Sequence, residues 1–252
     1  LIFMDSFQVT NLPNIAEVFT APIIKMCFEG QAFDETIHTM SYQYIAETLL
    51  PTSERDAIYD RWKDVEPLKE RIKTISSIAQ DWLDNPSWES FYKVCVANLI
   101  LEGLYFYQGF QMFDQLAHRN KLVQCAKQID YIRRQEYVHR GFFVNIIKEI
   151  GVDDTLITAM MKEAVQNEVR WCHYVYGDKI MGINKKSSEQ YVKYLANGLL
   201  EMLGIQPIYD SVTNPYKHLE MSSKQGGSRE NFFESTVTSY DTAGSLAGWD
   251  DI

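Results

Sequence analysis

Between residue 14 and about residue 205, apolar side chains recur at helical spacing and the pattern breaks only at turn residues. One stretch covers roughly 22–49 and stops at Pro51-Thr52-Ser53, where Ser53 is placed to cap the next helix. Further breaks fall at Asn85-Pro86-Ser87, His118-Arg119-Asn120 and Gly151-Val152-Asp153-Asp154. Gly182-Ile183-Asn184 precedes a last helix, 187–203, closed by Gly204 and Pro207. No segment alternates as a half-buried strand does, and 13 Gly and 7 Pro in 252 residues are too few for the dense turns of an all-β chain. Long helices joined by short turns predict an all-α bundle. From His218 to Ile252 the composition shifts to Ser, Gly, Thr and Asp, which predicts a helical domain over 1–217 and a flexible tail over 218–252.

Charge narrows the function classes. Lys and Arg total 24 against 34 Asp and Glu, a net charge of −10, with no basic cluster of the kind that tracks nucleic-acid phosphates. Apolar runs are broken by charges before they reach membrane-spanning length, and no signal peptide is present. Cys27, Cys95, Cys125 and Cys172 stand singly and are expected to be reduced core thiols of a cytoplasmic protein. The chain opens at Leu1, inside an apolar pattern and without Met, so an N-terminal part is expected to precede it.

Carboxylates interrupt the apolar helices. Glu102 sits within Val94-Cys95-Val96-Ala97-Asn98-Leu99-Ile100-Leu101-Glu102-Gly103-Leu104-Tyr105-Phe106-Tyr107, and Asp5 within Leu1-Ile2-Phe3-Met4-Asp5-Ser6-Phe7. A buried carboxylate must be protonated, paired or bound to a cation, because its desolvation costs several kcal/mol. For either residue alone a solvated edge or a local hydrogen bond is the better explanation.

Two more carboxylates come with histidines, in Glu35-Thr36-Ile37-His38 and Glu136-Tyr137-Val138-His139. Residues three apart share a helix face, so each Glu-x-x-His aims a carboxylate and an imidazole at one point. His118, His173 and His218 lack the glutamate. Carboxylate, Glu-x-x-His, carboxylate, Glu-x-x-His is the ligand order of ferritin-like di-iron and di-manganese bundles. Four carboxylates neutralise two divalent ions, and oxygen-rich ligation without thiolate suits Fe or Mn better than structural Zn.

Tyr42 follows Glu35 by seven and His38 by four, on the same helix face. The segment Phe33-Asp34-Glu35-Thr36-Ile37-His38-Thr39-Met40-Ser41-Tyr42 closely resembles the radical-harbouring helix of the class I ribonucleotide reductase small subunit, the R2 protein. Phe3-Met4-Asp5-Ser6-Phe7-Gln8, Leu101-Glu102-Gly103-Leu104-Tyr105-Phe106-Tyr107 and Ile132-Arg133-Arg134-Gln135-Glu136-Tyr137-Val138-His139 are similar to that family's other ligand segments. Met181-Gly182-Ile183-Asn184 with Gln190-Tyr191-Val192-Lys193-Tyr194 resembles its late helical region, and Asn231-Phe232-Phe233-Glu234 with Tyr240 its C-terminal tail.

The resemblance implies a ferritin-like fold and a dinuclear metal centre held by Asp5, Glu35, His38, Glu102, Glu136 and His139. Fe2 is the first expectation, with Mn2 or a mixed centre as alternatives. It implies a tyrosyl radical on Tyr42, shielded by Phe106, Phe110 and Ile132, and made when the reduced metals react with oxygen or a reduced-oxygen species. Tyr240, accompanied by Glu234, would relay the radical to a large subunit that reduces ribonucleotides to deoxyribonucleotides. Leu246, Trp249, Asp250, Asp251 and Ile252 would dock that subunit, a short peptide with apolar anchors suiting such a role. A homodimer is implied, and a flavodoxin-like activator is left open. Two features depart from the family pattern: Gln135 stands where many members have an acidic residue, and the relay tryptophan belongs to a segment before Asp5. Two rivals share the ligands: a stand-alone di-metal oxidase or oxygenase, and a non-catalytic iron-handling protein.

Overall fold

A computed structural model describes residues 1–219. The tail positions Glu234, Tyr240, Leu246, Trp249, Asp250, Asp251 and Ile252 therefore lie outside the described residues. Leu1–Pro215 form one compact unit, and a second begins at Tyr216.

The first unit is helical. Its α-helices are α1 (Ile2–Ala16), α2 (Pro22–Leu49), α3 (Thr52–Tyr59), α4 (Glu66–Asp84), α5 (Trp88–Ile100), α6 (Tyr107–Ala117), α7 (Val123–Ile150), α8 (Asp154–Val175) and α9 (Lys185–Met202). A 3₁₀ turn covers Arg61–Lys63, and a π-helical segment, Leu101–Tyr105, joins α5 to α6. β structure among the described residues is confined to a bridge between Ile180 and Ile183. None of the described helices is long and apolar enough to cross a membrane.

Local chemistry sets most boundaries. Pro22 opens α2, where its missing N–H costs no helix bond. Ser87 and Ser90 form a reciprocal capping box on α5, as Asn184 and Ser187 do on α9, and Asp153 caps α8. Gly151, at φ 103°, terminates α7 in a conformation that side chains resist. Ser53 does not act as the cap expected of it. It lies inside α3, whose N-cap is Pro51 and whose first turn has no side-chain cap.

α1 was not delimited by the apolar pattern, for a physical reason. Its buried face is Met4, Asp5, Gln8, Asn11, Leu12, Ile15 and Ala16, three of the seven polar. α1 packs on α2, α2 on α7, and α7 on α5, α6 and the π segment. These contacts bring the metal-ligand candidates of four elements to one interior point. The cysteines split: Cys95 and Cys172 are buried, but Cys27 is exposed and Cys125 only half-buried. The expectation of core thiols therefore fails for Cys27, which stands on the outer side of α2, and holds only partly for Cys125.

Candidate metal centre

Each candidate ligand sits on a helical element. α1 supplies Asp5, α2 supplies Glu35 and His38, the π segment supplies Glu102, and α7 supplies Glu136 and His139. The four carboxylates and His38 have no solvent exposure, and His139 is 3% exposed. Two sets of ligand atoms converge. One comprises Asp5, Glu35, His38 and Glu136; the other comprises Glu35, Glu102, Glu136 and His139. Within each set the atoms lie inside 4.8 Å of one another, and Glu35 and Glu136 belong to both. Shared carboxylates between two three-dimensional clusters are what bridging ligands of a dinuclear centre require.

Both imidazoles turn Nδ1 inward. His38 Nδ1 lies 3.0 Å from Glu136, 3.4 Å from Glu35 and 3.7 Å from Asp5. His139 Nδ1 lies 3.0 Å from Glu136, 3.2 Å from Glu35 and 3.8 Å from Glu102. Yet both oxygens of Asp5 and of Glu35, one oxygen each of Glu102 and Glu136, and His38 Nδ1 lack a hydrogen-bond partner among the described residues. Buried polar atoms are almost always satisfied, so so many orphans aimed at one place fit a pair of cations. The donor set, four carboxylates with two imidazoles and no sulfur, fits hard divalent ions of the Fe or Mn type.

Electrostatics shows the same crowding. Burial, then the neighbouring Glu35 carboxylate, pushes Asp5 well above the usual carboxylate range, and the same two causes raise Glu136. Burial disfavours the charged imidazolium of His38, but the close carboxylates of Glu136 and Glu35 prevail and push it up to about 11. His139 is raised by its carboxylate partners too, against burial. Burial would raise Glu102, but hydrogen bonding involving His139, Glu136 and Gln8 holds it below its ordinary value.

Glu102 is aimed by its backbone and by two amides. The π segment shifts the register of the α5–α6 helix at the position where the carboxylate must turn inward, a common place for such a bulge. Gln8 donates to Glu102 Oε1 at 2.5 Å and Gln31 donates to the same oxygen at 3.0 Å, which leaves Oε2 for the centre. Gln8 is itself held by Asn11, which also donates to Asn98. Spacing carried a signal for both glutamines: Gln8 is three after Asp5 and Gln31 four before Glu35, on the ligand faces.

Tyr42 lies on the buried face of α2 with Glu35 and His38, is 5% exposed, and its hydroxyl has no partner among the described residues. Burial and the Asp5, Glu136 and Glu35 carboxylates raise its pKa well above that of an ordinary phenol, so the hydroxyl keeps its proton. Phe106, Phe110 and Ile132 are buried, and the rings of Phe106 and Phe110 stack with centroids 6.2 Å apart. Gln135 Oε1 accepts from His38 Nε2 at 2.9 Å, and Gln135 Nε2 donates to Asp34, a residue that helix spacing alone did not mark.

The family "Ribonucleotide reductase, small chain" matches residues 1–215. The subunit beta of ribonucleoside-diphosphate reductase from Treponema pallidum is 36% identical over all of this chain and 75% of its own length. Among solved structures, the ribonucleotide reductase R2 subunit from Clostridium botulinum superposes with a TM-score of 0.84 at 36% identity, covering 88% of this chain and 73% of that one. A dimanganese(II)-NrdF from Streptococcus sanguinis shares the fold, with a TM-score of 0.76 at 22% identity over 88% and 78% of the two chains. These matches set aside the stand-alone oxidase and the iron-handling protein. With its buried carboxylate and histidine cluster, the chain belongs to the small-chain (β, or R2) family of class I ribonucleotide reductase, as a radical-generating subunit of ribonucleoside-diphosphate reductase.

Proposed function

We propose that Asp5, Glu35, His38, Glu102, Glu136 and His139 hold a dinuclear centre, Fe2 in the first instance with Mn2 or a mixed pair as the alternatives, and that Tyr42 carries the radical. The observation that supports this most strongly is the convergence of carboxylate oxygens that, like the hydroxyl of buried Tyr42, have no hydrogen-bond partner among the described residues. When bound, the metals would supply oxidising power from oxygen or a reduced-oxygen species. The chain's residues do the rest. Glu35 and Glu136 span the two ligand sets, and Gln8 and Gln31 orient Glu102. Burial of Tyr42 keeps its phenol protonated until an electron leaves, and Phe106, Phe110 and Ile132 supply unreactive walls for a long-lived phenoxyl.

Beyond the helical domain of 1–217, the tail 218–252 serves the large subunit: Tyr240 with Glu234 relays the radical, and Leu246, Trp249, Asp250, Asp251 and Ile252 dock. Gln135 takes the place of the acidic residue common in the family and supports His38. The chain pairs with a second copy of itself. Support comes from α2: opposite its ligand face, Ile23, Met26, Phe33, Met40 and Tyr44 remain about 60% exposed or more, an exposed apolar stripe of the kind that marks an interaction surface.

Metal analysis with low-temperature EPR tests the reading. Protein loaded with Fe(II) or Mn(II) and exposed to oxygen should hold two metals per chain and give a tyrosyl signal that Tyr42→Phe abolishes. Two metals without a radical would point to a flavodoxin-like activator as the oxidant's source; failure to bind metal would overturn the site.

A further inference from the structure

The two Glu-x-x-His motifs are each preceded by a polar residue, Asp34 before Glu35 and Gln135 before Glu136. Each of these residues reaches the histidine of the other motif. Asp34 Oδ2 lies 3.2 Å from His139 Nε2, and Gln135 Oε1 lies 2.9 Å from His38 Nε2. Asp34 and Gln135 are joined, Gln135 Nε2 donating to Asp34 Oδ1 at 2.7 Å. The result is a continuous chain, His139–Asp34–Gln135–His38, running between α2 and α7 outside the ligand cluster.

Its polarity is set by the amide: Gln135 turns its NH2 to Asp34 and its carbonyl to His38. A carbonyl can only accept, so His38 must carry hydrogen on Nε2, and His139 must do the same to bond Asp34 directly. Nε2 keeps its hydrogen, so the proton an imidazole gives up to a metal is the one on Nδ1, and both Nδ1 atoms face the carboxylate cluster.

We infer that Asp34 is the positioning residue of the metal centre: one carboxylate sets the tautomer and orientation of both histidine ligands, His139 directly and His38 through Gln135. This rests on the proposed dinuclear site. The two arms are chemically unequal, a carboxylate behind His139 and an amide behind His38, so the two ligand sets are not equivalent even before any difference in carboxylates. Asparagine at position 34 would keep the shape but could present either a donor or an acceptor, and the enforced polarity would be lost.

The test is Mn(II) binding to the full chain, read from the EPR signal of free Mn(II), with no turnover involved. Asp34→Asn should weaken both binding steps by about ten- to hundredfold, the usual effect of losing an outer-sphere partner of a metal-bound histidine. Gln135→Met, which removes one arm, should weaken one step and leave the other within about threefold. Glu29→Gln, an equal charge change at an exposed position of α2, should leave both steps unchanged. Thermal melts of each metal-free variant verify that it is folded. Two metals bound by Asp34→Asn as tightly as by the parent, or equal losses in both steps from Gln135→Met, would overturn the inference. A parent chain that binds no Mn(II) would instead sink the dinuclear site itself.

Discussion

Arg71 and Glu168 form an ion pair deep between α4 and α8, Nε to Oε2 at 2.5 Å, with both side chains no more than 3% exposed. The guanidinium also donates to the carbonyl of Tyr105, the last residue of the π segment that carries Glu102, and lies 4.5 Å from the centroid of the Tyr105 ring. Arg71→Met keeps the hydrophobic stem and removes the charge. Glu168 is then left as an uncompensated buried carboxylate, a situation that costs about 3–5 kcal/mol. For a unit of this size that corresponds to a fall in Tm of roughly 6–20 °C.

The loss should depend on pH, with a definite sign. Burial lifts Glu168 to about 7 even with Arg71 beside it, so folding already takes up a proton there and stability falls from the ordinary carboxylate range up to that value. Without Arg71 the folded pKa rises further, and the decline continues above pH 7 at up to about 1.4 kcal/mol per pH unit. Urea unfolding of metal-free protein at fixed concentration, at pH 6 and pH 8.5, measures both effects. Arg71→Met combined with Glu168→Leu should recover most of the loss, since no charge is then orphaned. A single variant within about 1 kcal/mol of the parent at both pH values would refute the reasoning.

Tyr42→Phe should leave the stability of the metal-free chain within about 1 kcal/mol by urea unfolding, because the deleted hydroxyl has no hydrogen bond among the described residues to lose. Gly103→Ala should destabilise by about 1–3 kcal/mol by calorimetry. Its Cβ would stand 2.5 Å from Leu199 Cδ2 and 3.0 Å from Arg140 Cδ, and Leu199 is too buried to swing aside. Metal affinity should rise with pH, and titration calorimetry in buffers of different ionisation enthalpy should detect proton release, because His38, pushed up to about 11, must give up its proton to bind. Phe33→Glu with Met40→Glu, on the exposed side of α2, should give a monomer by sedimentation, and an unchanged dimer would place the interface elsewhere.

Local rules made much of this chain legible. Helices α2, α5, α7, α8 and α9 announce themselves through proline and glycine placement, through caps at Ser87, Asp153 and Asn184, and through a spacing that each helix enforces on its own residues. The six candidate ligands were readable for the same reason. Glu and His three apart must share a face, and a carboxylate among apolar neighbours demands an explanation wherever the helix goes.

What the sequence could not hold is whatever depends on how helices meet. Asp34 reads as an ordinary helix residue until α2 and α7 are packed, when it meets His139, 105 positions away. The pairing of Arg71 with Glu168 and the support of Glu102 by Gln8 likewise join residues on different helices, 94 positions apart in the second case. α1 escaped the apolar pattern because three of the seven residues on its inward face are polar, and Asp5, Gln8 and Asn11 meet partners on other helical elements. The outward side of α2 shows the converse: Cys27 stands in an apolar segment yet faces out, because burial is assigned by neighbours and not by composition. Periodicity is a property of one helix and is written in its residues; the direction in which a side chain finds a partner is a property of two, and only the packed structure decides it.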